Sequence, residues 1–456
     1  MENNHYCLVL SGGGAKGVYH IGVWKALKEL GIQVDAFIGN SIGAVISAFL
    51  AQGLDEVLEV IGGSIGLDYV LNIPKDLIVN GELNIRLNKK DAFKEFYRSV
   101  LAKRGLDTSP FRTLLETHIN EDCIRRDGKD FGVVSFNLSE MKPREVYIEE
   151  MEEGELINYV LASSAFPGFE RPEIGGKKYI DGGVYDNIPY AMARSRGYKN
   201  IIVVDISGIG VKKKMNIEGV RMVYIKNSIN MGRVLDFDRK FLNEFTQLGY
   251  LDTMRTFGQL TGFYYFIIPN TELEESFKEY LKSVPAQSRI ISRAMTLNKN
   301  YHPSTAAEAV RLLFPKRSRF DRQWLPVFVD CAAKSLSLKR IRKWKYDEIF
   351  EEMLKQEESV RVQFHSMIAR DRKKIEASIR KEIRKKSLIK TPYIYHLLVE
   401  HYLHERLKKP LNRLLSERFP ELATGVCFLE MMQDFITYES TQKDNAATAF
   451  SWKRDQ

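Results

Sequence analysis

"LSGGGAKGVYHIGVWKALKELG", residues 10–31, joins a short apolar run to a helical pattern through a cluster of glycines. Upstream, Tyr6 to Leu10 has the apolar character of a buried strand. Downstream, Val18, Ile21, Trp24, Leu27 and Leu30 recur every third residue, one face of a helix that Gly31 stops. A second strand, VDAFI at 34–38, and a second helix, Ala44 to Leu50, follow at once. Strand-helix-strand-helix predicts an α/β fold with a central, mostly parallel sheet and helices on both faces. Apolar runs at 131–136 (FGVVSF) and 201–206 (IIVVDI) offer further strands.

Gly12, Gly14 and Gly17 fit G-x-G-x-x-G, and Asp35 lies about 20 residues on, as a dinucleotide site would ask. Asp35 opens the second strand rather than closing it, which suits ribose binding badly. The second strand also runs into "GNSIGA", where Gly39, Ser41 and Gly43 fit G-x-S-x-G. That pattern exposes a serine hydroxyl on a sharp strand-to-helix turn, with glycines removing clashes. Both loops leave the carboxyl ends of strands and so face one crevice. The N–H groups of Gly12, Gly13 and Gly14 can then receive the oxyanion formed when Ser41 attacks an ester carbonyl. Acyl transfer is therefore expected over cofactor binding.

A serine nucleophile ordinarily works with a histidine. The eight histidines (5, 20, 118, 302, 365, 396, 401, 404) include none in a loop after a late strand. His20 reads as a packing or hydrogen-bonding residue on the first helix, and His118 is no better placed. In "KKYIDGGVYDNIPY", residues 177–190, Asp181 follows a short strand-like run and precedes Gly182 and Gly183. A carboxylate there can face the serine directly, although it needs a dry site to raise its pKa from about 3.9. Asp-Gly-Gly is also an ordinary turn, and Asp186 and Asp205 are rivals for the role.

Taken together, "SGGGAKGVYHIGVWKALKELGI", "GNSIGA" and "DGGVYDNIP" resemble the patatin-like phospholipase family, bacterial members in particular. "LASSAFPGFERPEIGGKKYIDGG", "DFGVVSFNLSEMKP" and "LGYLDTMRTFG" extend the resemblance over roughly residues 5–265. It implies a three-layer α/β fold and a Ser–Asp dyad. Ser41 would be the nucleophile, Asp181 the general base, and Gly12, Gly13 and Gly14 the oxyanion hole. Lys16, Gly17, Gly39, Gly43, Gly182 and Gly183 would support the motifs. The implied reaction is hydrolysis of acyl esters in lipids, phospholipids foremost, with no metal or organic cofactor. The alternatives are a soluble carboxylesterase or thioesterase, or a regulatory protein of this fold with an occluded site.

The 456 residues have room for a catalytic region at 1–270 and a mainly helical region at 271–456 of unassigned role. Residues 61–110 read as an insertion that caps the site. The formal net charge of +9 favours anionic partners. Within 371–386, DRKKIEASIRKEIRKK, eight basic residues face three acidic ones, and isoleucines share a helical face. This suits anionic headgroups or, more plainly, a solvated helix packed on its domain. No nucleic-acid signature accompanies the charge. His401 and His404, with His396 and Glu400 nearby, have helical metal-ligand spacing but no catalytic context, so no metal is expected. Cys7, Cys123, Cys331 and Cys427 are widely spaced and read as reduced thiols. With no signal-peptide pattern and no run of roughly 20 apolar residues, the expected place is the cytoplasm, peripherally at the inner membrane face.

Overall fold

The computed structural model describes residues 5–74, 78–79, 82–83, 105–297, 302–305, 308–309, 323–385, 393, 397 and 419–452. The chain divides into two compact units, Met1–Phe257 and Gly258–Gln456.

The first unit is built on β1 (His5–Leu10), of which Tyr6 to Leu10 are all buried. A strand apolar at every position can be satisfied only if both of its faces are covered. Its neighbours are β2 (Gln33–Gly39) on one side and β9 (Asn200–Asp205) on the other, both parallel to it. The sheet continues through β10 (Arg221–Lys226) beyond β9 and β5 (Asp130–Asn137) beyond β2, again parallel. β6 (Lys142–Tyr147) and β8 (Lys177–Asp181) run antiparallel to β5, and β7 (Glu173–Ile174) hangs on β8. A two-residue pair, β3 (Ile78–Val79) and β4 (Glu82–Leu83), lies apart from this sheet.

On one face Cys7, Val9, Ala36, Ile38, Ile201 and Val203 pack under Tyr190, Met192 and Ala193 of the short helix Tyr190–Ser195. On the other, Trp24 of α1 (Val18–Glu29) meets Phe37 edge-on at 5.6 Å. Each such aliphatic or aromatic side chain removed from water contributes roughly 1.5–3 kcal/mol before conformational entropy is counted. α1 crosses the helix Arg239–Thr256 closely: a Cβ on Gly22 would lie 1.8 Å from Thr246 O, and one on Gly249 would lie 2.1 Å from Tyr19 O. Only glycine fits at this crossing, which fixes α1 and the loop before it.

The register of the strands positions the site. Leu10 pairs with Gly39 and with Val204, so the loops after β1, β2 and β9 emerge at one edge. Gly39 in turn pairs with Val133, and Ser135 pairs with Asp181. The antiparallel return of β8 thereby delivers Asp181 to the edge where β2 ends.

The second unit is helical. Thr271–Tyr280, Trp324–Ser335 and Pro420–Trp452 contribute Phe277, Phe328, Phe428 and Phe435, whose rings meet edge-on or tilted in one aromatic core with centroids 5.0 to 6.2 Å apart. Buried Asp330 accepts backbone N–H bonds from Phe263, Tyr264 and Tyr265, closing the turn before β11 (Phe266–Ile267). The helix Tyr346–Lys385 takes in most of the basic stretch 371–386, but the side chains of that stretch lie outside the described residues. So do His396, Glu400, His401 and His404, and residues 84–104 of the expected cap. No described helix is long and apolar enough to cross a membrane.

Candidate functional site

Ser41 occupies the turn between β2 and α2 (Ile42–Ala51) with φ 55° and ψ −129°. A serine pays of order 1–3 kcal/mol for such a backbone, so the neighbours must enforce it. They do. A Cβ on Gly39 would sit 2.3 Å from Gly43 O, and one on Gly43 would sit 2.3 Å from Leu10 O. The turn is so tight that neither position admits a side chain. Ser41 N–H donates to Ser163 Oγ at 3.0 Å, which holds the elbow from the side of the helix Leu156–Ser163.

The glycine loop follows β1. Ser11 N–H donates to Val204 O at 3.1 Å, and Ser11 Oγ accepts from Ile206 N–H at 3.0 Å. His20 Nε2–H donates to Ser11 O at 2.9 Å. Burial pushes the His20 pKa down to about 4, so the ring is neutral and structural, as its place on the helix suggested. Gly12 N–H donates to Asn187 O at 3.3 Å, whereas among the described hydrogen bonds Gly13 and Gly14 N–H have no acceptor. Gly14 takes φ +59°, and Gly17 abuts Ile42, where a Cβ would come within 2.3 Å of Cγ1. Lys16 is buried and donates to Ser207 O at 3.3 Å. Burial, helped by Lys212, lowers its pKa, and it ties the glycine loop to the segment after β9.

Asp181 closes β8 and caps the turn that follows, accepting Gly183 N–H at 2.7 Å on Oδ1. Asn40 Nδ2 donates to the same oxygen at 3.3 Å and to Asn187 Oδ1 at 3.0 Å. Ser41 lies close enough to the carboxyl to favour its ionised form. Burial raises the Asp181 pKa, and the nearby Ser41 hydroxyl with the bonds from Gly183 and Asn40 pulls part of that rise back. Gly182 has to be glycine, since a Cβ would meet Val134 O at 2.4 Å and Asn40 Oδ1 at 2.5 Å.

The rival acids are occupied elsewhere. Asp186 accepts Ile188 N–H at 3.1 Å, and burial raises its pKa to about 6. Asp205 is buried, which pushes its pKa up, but bonds from Lys212 at 2.7 and 2.8 Å and from Tyr224 at 2.7 Å hold it below the ordinary value overall. Asp35, on the exposed side of β2, pairs with His5 and is not at this edge.

Ser41, Asp181, Gly13, Gly14 and Gly183 line one cavity of about 460 Å³. Its walls are aliphatic and aromatic, drawn from α1, α2, α3 (Asp55–Ser64) and the helix Ser109–His118, with Phe49, Phe111, Phe166 and Phe237 among them. Asp181 is the one charged side chain in the described lining. Such a chamber solvates a hydrocarbon chain and offers no cation to a head group inside it.

Three residues that position this site went unread in the sequence: Asn40, Asn187 and Ser163. The first two stand inside the quoted motifs GNSIGA and DGGVYDN, and Ser163 precedes the strand pair that leads to Asp181.

The family model for patatin-like phospholipases matches residues 8–194. Lysophospholipase NTE1 of Cryptococcus neoformans var. neoformans is 29% identical over 203 residues, 44% of this chain and 11% of that protein. Lysophospholipase NTE1 of Saccharomyces cerevisiae is also 29% identical, over 44% of this chain and 10% of its own length. The chain thus spans about a tenth of the length of these curated relatives. Among solved structures, VipD from Legionella pneumophila aligns over 81% of this chain and 87% of its own, at 15% identity and a TM-score of 0.34.

Proposed function

We propose, on the premise that residues 8–194 belong to the patatin-like phospholipase family, that this chain is a serine lipid acyl hydrolase working through a Ser41–Asp181 dyad. The observation that carries the reading is the buried Asp181 carboxyl facing Ser41 at an apolar cavity that contains no other charged side chain among its described walls.

The steps follow from the groups present. An acyl chain enters the cavity and sets its ester carbonyl over Ser41. As Ser41 Oγ attacks, its proton passes to Asp181, whose raised pKa makes a carboxylate a competent base. The tetrahedral oxyanion takes the N–H groups of Gly13 and Gly14, which have no acceptor among the described hydrogen bonds, while the Gly12 N–H holds the loop against Asn187. Collapse expels the alcohol with the proton from Asp181. The freed carboxylate then deprotonates water, which attacks the acyl-serine, releases the fatty acid and regenerates Ser41. Lys16, buried under the loop, fixes its position against Ser207.

The lysophospholipase relatives support a lysophospholipid or phospholipid as substrate. On this reading the chemistry resides in residues 1–270 and acts from the cytoplasmic side of a membrane. Fluorophosphonate labelling tests the reading: wild-type protein should label, Ser41→Ala should not, and Asp181→Asn should label far more slowly. Absence of Ser41-dependent labelling in folded protein overturns it. Turnover on phospholipid vesicles well above that on a soluble monomeric ester separates a lipid hydrolase from a soluble esterase.

A further inference from the structure

The segment 206–217, ISGIGVKKKMNI, leaves β9 at the catalytic edge and carries three lysines and no acid. Its Ile209 is 70% exposed and Val211 49%, and Val184, next to the Asp181 turn, is 40% exposed. A single exposed aliphatic is unremarkable, whereas three gathered on one rim need an explanation. Val184, Ile209 and Val211 also line the cavity, so the exposed apolar rim and the apolar chamber are one continuous surface.

The rim is not a loose loop. Val211 N–H donates to Gly183 O at 2.8 Å, and Val211 O accepts Asn187 N–H at 2.7 Å. Gly208 rides against the glycine loop, where a Cβ would come within 1.9 Å of Gly12 O. Ser207 N–H and Lys212 Nζ both hold Asp205 Oδ1, at 2.8 and 2.7 Å. Backbone bonds therefore hold the apolar side chains outward. Lys213 lies over the Tyr185 ring at 3.0 Å, close to Asp186 and Glu145, and Lys214 is exposed.

We propose that this rim is the surface by which the protein docks on an anionic lipid bilayer, with Ile209, Val211 and Val184 entering the acyl boundary and Lys213 and Lys214 meeting lipid phosphates. Aliphatics flanked by lysines match the layered chemistry of a bilayer interface, apolar below and anionic above. The docking stands on the acyl-hydrolase reading, since it brings the cavity mouth to the lipid whose chain must enter. It also moves membrane contact from the basic stretch 371–386 to the site itself.

The test is co-sedimentation of the full chain with vesicles of phosphatidylcholine alone and of phosphatidylcholine mixed with phosphatidylserine, at low and high salt. Wild type should bind the mixed vesicles more tightly and lose binding as salt rises. Lys214→Glu should weaken that binding on the order of tenfold. The same variant should hydrolyse a soluble short-chain ester at the wild-type rate, because Lys214 does not line the cavity. Ile209→Ser, read by binding alone, should weaken it further. Unchanged vesicle binding in these variants overturns the docking surface, as does a shift in their oligomeric state on gel filtration, which would assign the rim to a second copy. Loss of soluble-ester turnover in the wild type would instead count against the acyl-hydrolase reading, since vesicle binding is measured without it.

Discussion

The side-chain amide of Asn40 reaches Asp181 Oδ1 at 3.3 Å, linking the residue before the elbow serine to a carboxylate 141 positions later. The same amide holds Asn187 Oδ1 at 3.0 Å, so one buried donor group spans β2, the Asp181 turn and the segment that fixes Gly12. A donor to the ionised carboxyl stabilises the charged form and lowers its pKa. Asn40→Ala removes that donor, so the Asp181 pKa rises above its already elevated value. The acid limb of kcat/KM should move to higher pH, and kcat should fall on the order of tenfold as the carboxyl loses its orientation. A pH–rate profile with an unmoved acid limb would remove Asn40 from the dyad's support.

Asp181→Asn should abolish turnover and yet stabilise the fold at neutral pH. Burial raises the pKa of Asp181, so the native state binds its proton more tightly than the unfolded chain. Its contribution to stability is fully present below the unfolded pKa and is lost as pH rises through the folded pKa. Asparagine keeps an acceptor for Gly183 and Asn40 without the buried charge. The gain in Tm over wild type should appear at neutral pH and vanish in acid, each kcal/mol reading as about 2–4 °C for a domain of this size. Thermal melts at several pH values check the sign.

Local spacing made much of this site legible. Gly39, Ser41 and Gly43 lie within five residues, and what they do depends on backbone geometry they enforce on each other. The parallel strands were legible for a similar reason: β1 and β9 are apolar at nearly every position. β8 was harder, because KKYID buries only Tyr179 and Asp181 and gives a weak strand signal. Asn40, Asn187 and Ser163 are unreadable without the fold, since their hydrogen bonds join residues more than a hundred positions apart. The cavity shares that property. Phe49, Phe111, Phe166 and Phe237 come from four segments, and each alone reads as ordinary core.

Two neighbouring glycines should respond differently to alanine. A Cβ on Gly13 presses on the Ile206 side chain, at 2.6 Å from Cδ1 and 2.8 Å from Cγ1, with Gly208 Cα at an ordinary 3.5 Å, so one side chain must yield rather than backbone. Its φ of 164° is open to any residue, so Gly13→Ala should fold. Displacing the loop's N–H groups should still cost on the order of a hundredfold in kcat. A Cβ on Gly12 meets Asn187 Oδ1 at 2.6 Å, Asn40 Nδ2 at 2.7 Å and Ser41 Cβ at 3.0 Å. Gly12→Ala should therefore lower Tm as well as kcat, because it splits the Asn40–Asn187 pair. Equal melting curves for the two variants would contradict the packing argument.

The cavity should act as a ruler for the acyl chain. Ile46 of α2 is 2% exposed to solvent, and its side chain lines the chamber of about 460 Å³ rather than a packed interface alone. A larger residue there has space to occupy, so Ile46→Trp should shorten the chamber instead of forcing the helix from the sheet. Overpacking a filled core would cost about 1–3 kcal/mol, and a smaller loss of Tm is expected here. Ser41 and Asp181 are untouched, so fluorophosphonate labelling should match wild type. Against p-nitrophenyl esters from butyrate to palmitate, the variant should keep the short substrates and lose the long ones, by on the order of tenfold or more in kcat/KM. A uniform loss along the series would mean that the chain binds elsewhere, and the chamber would then be no acyl site.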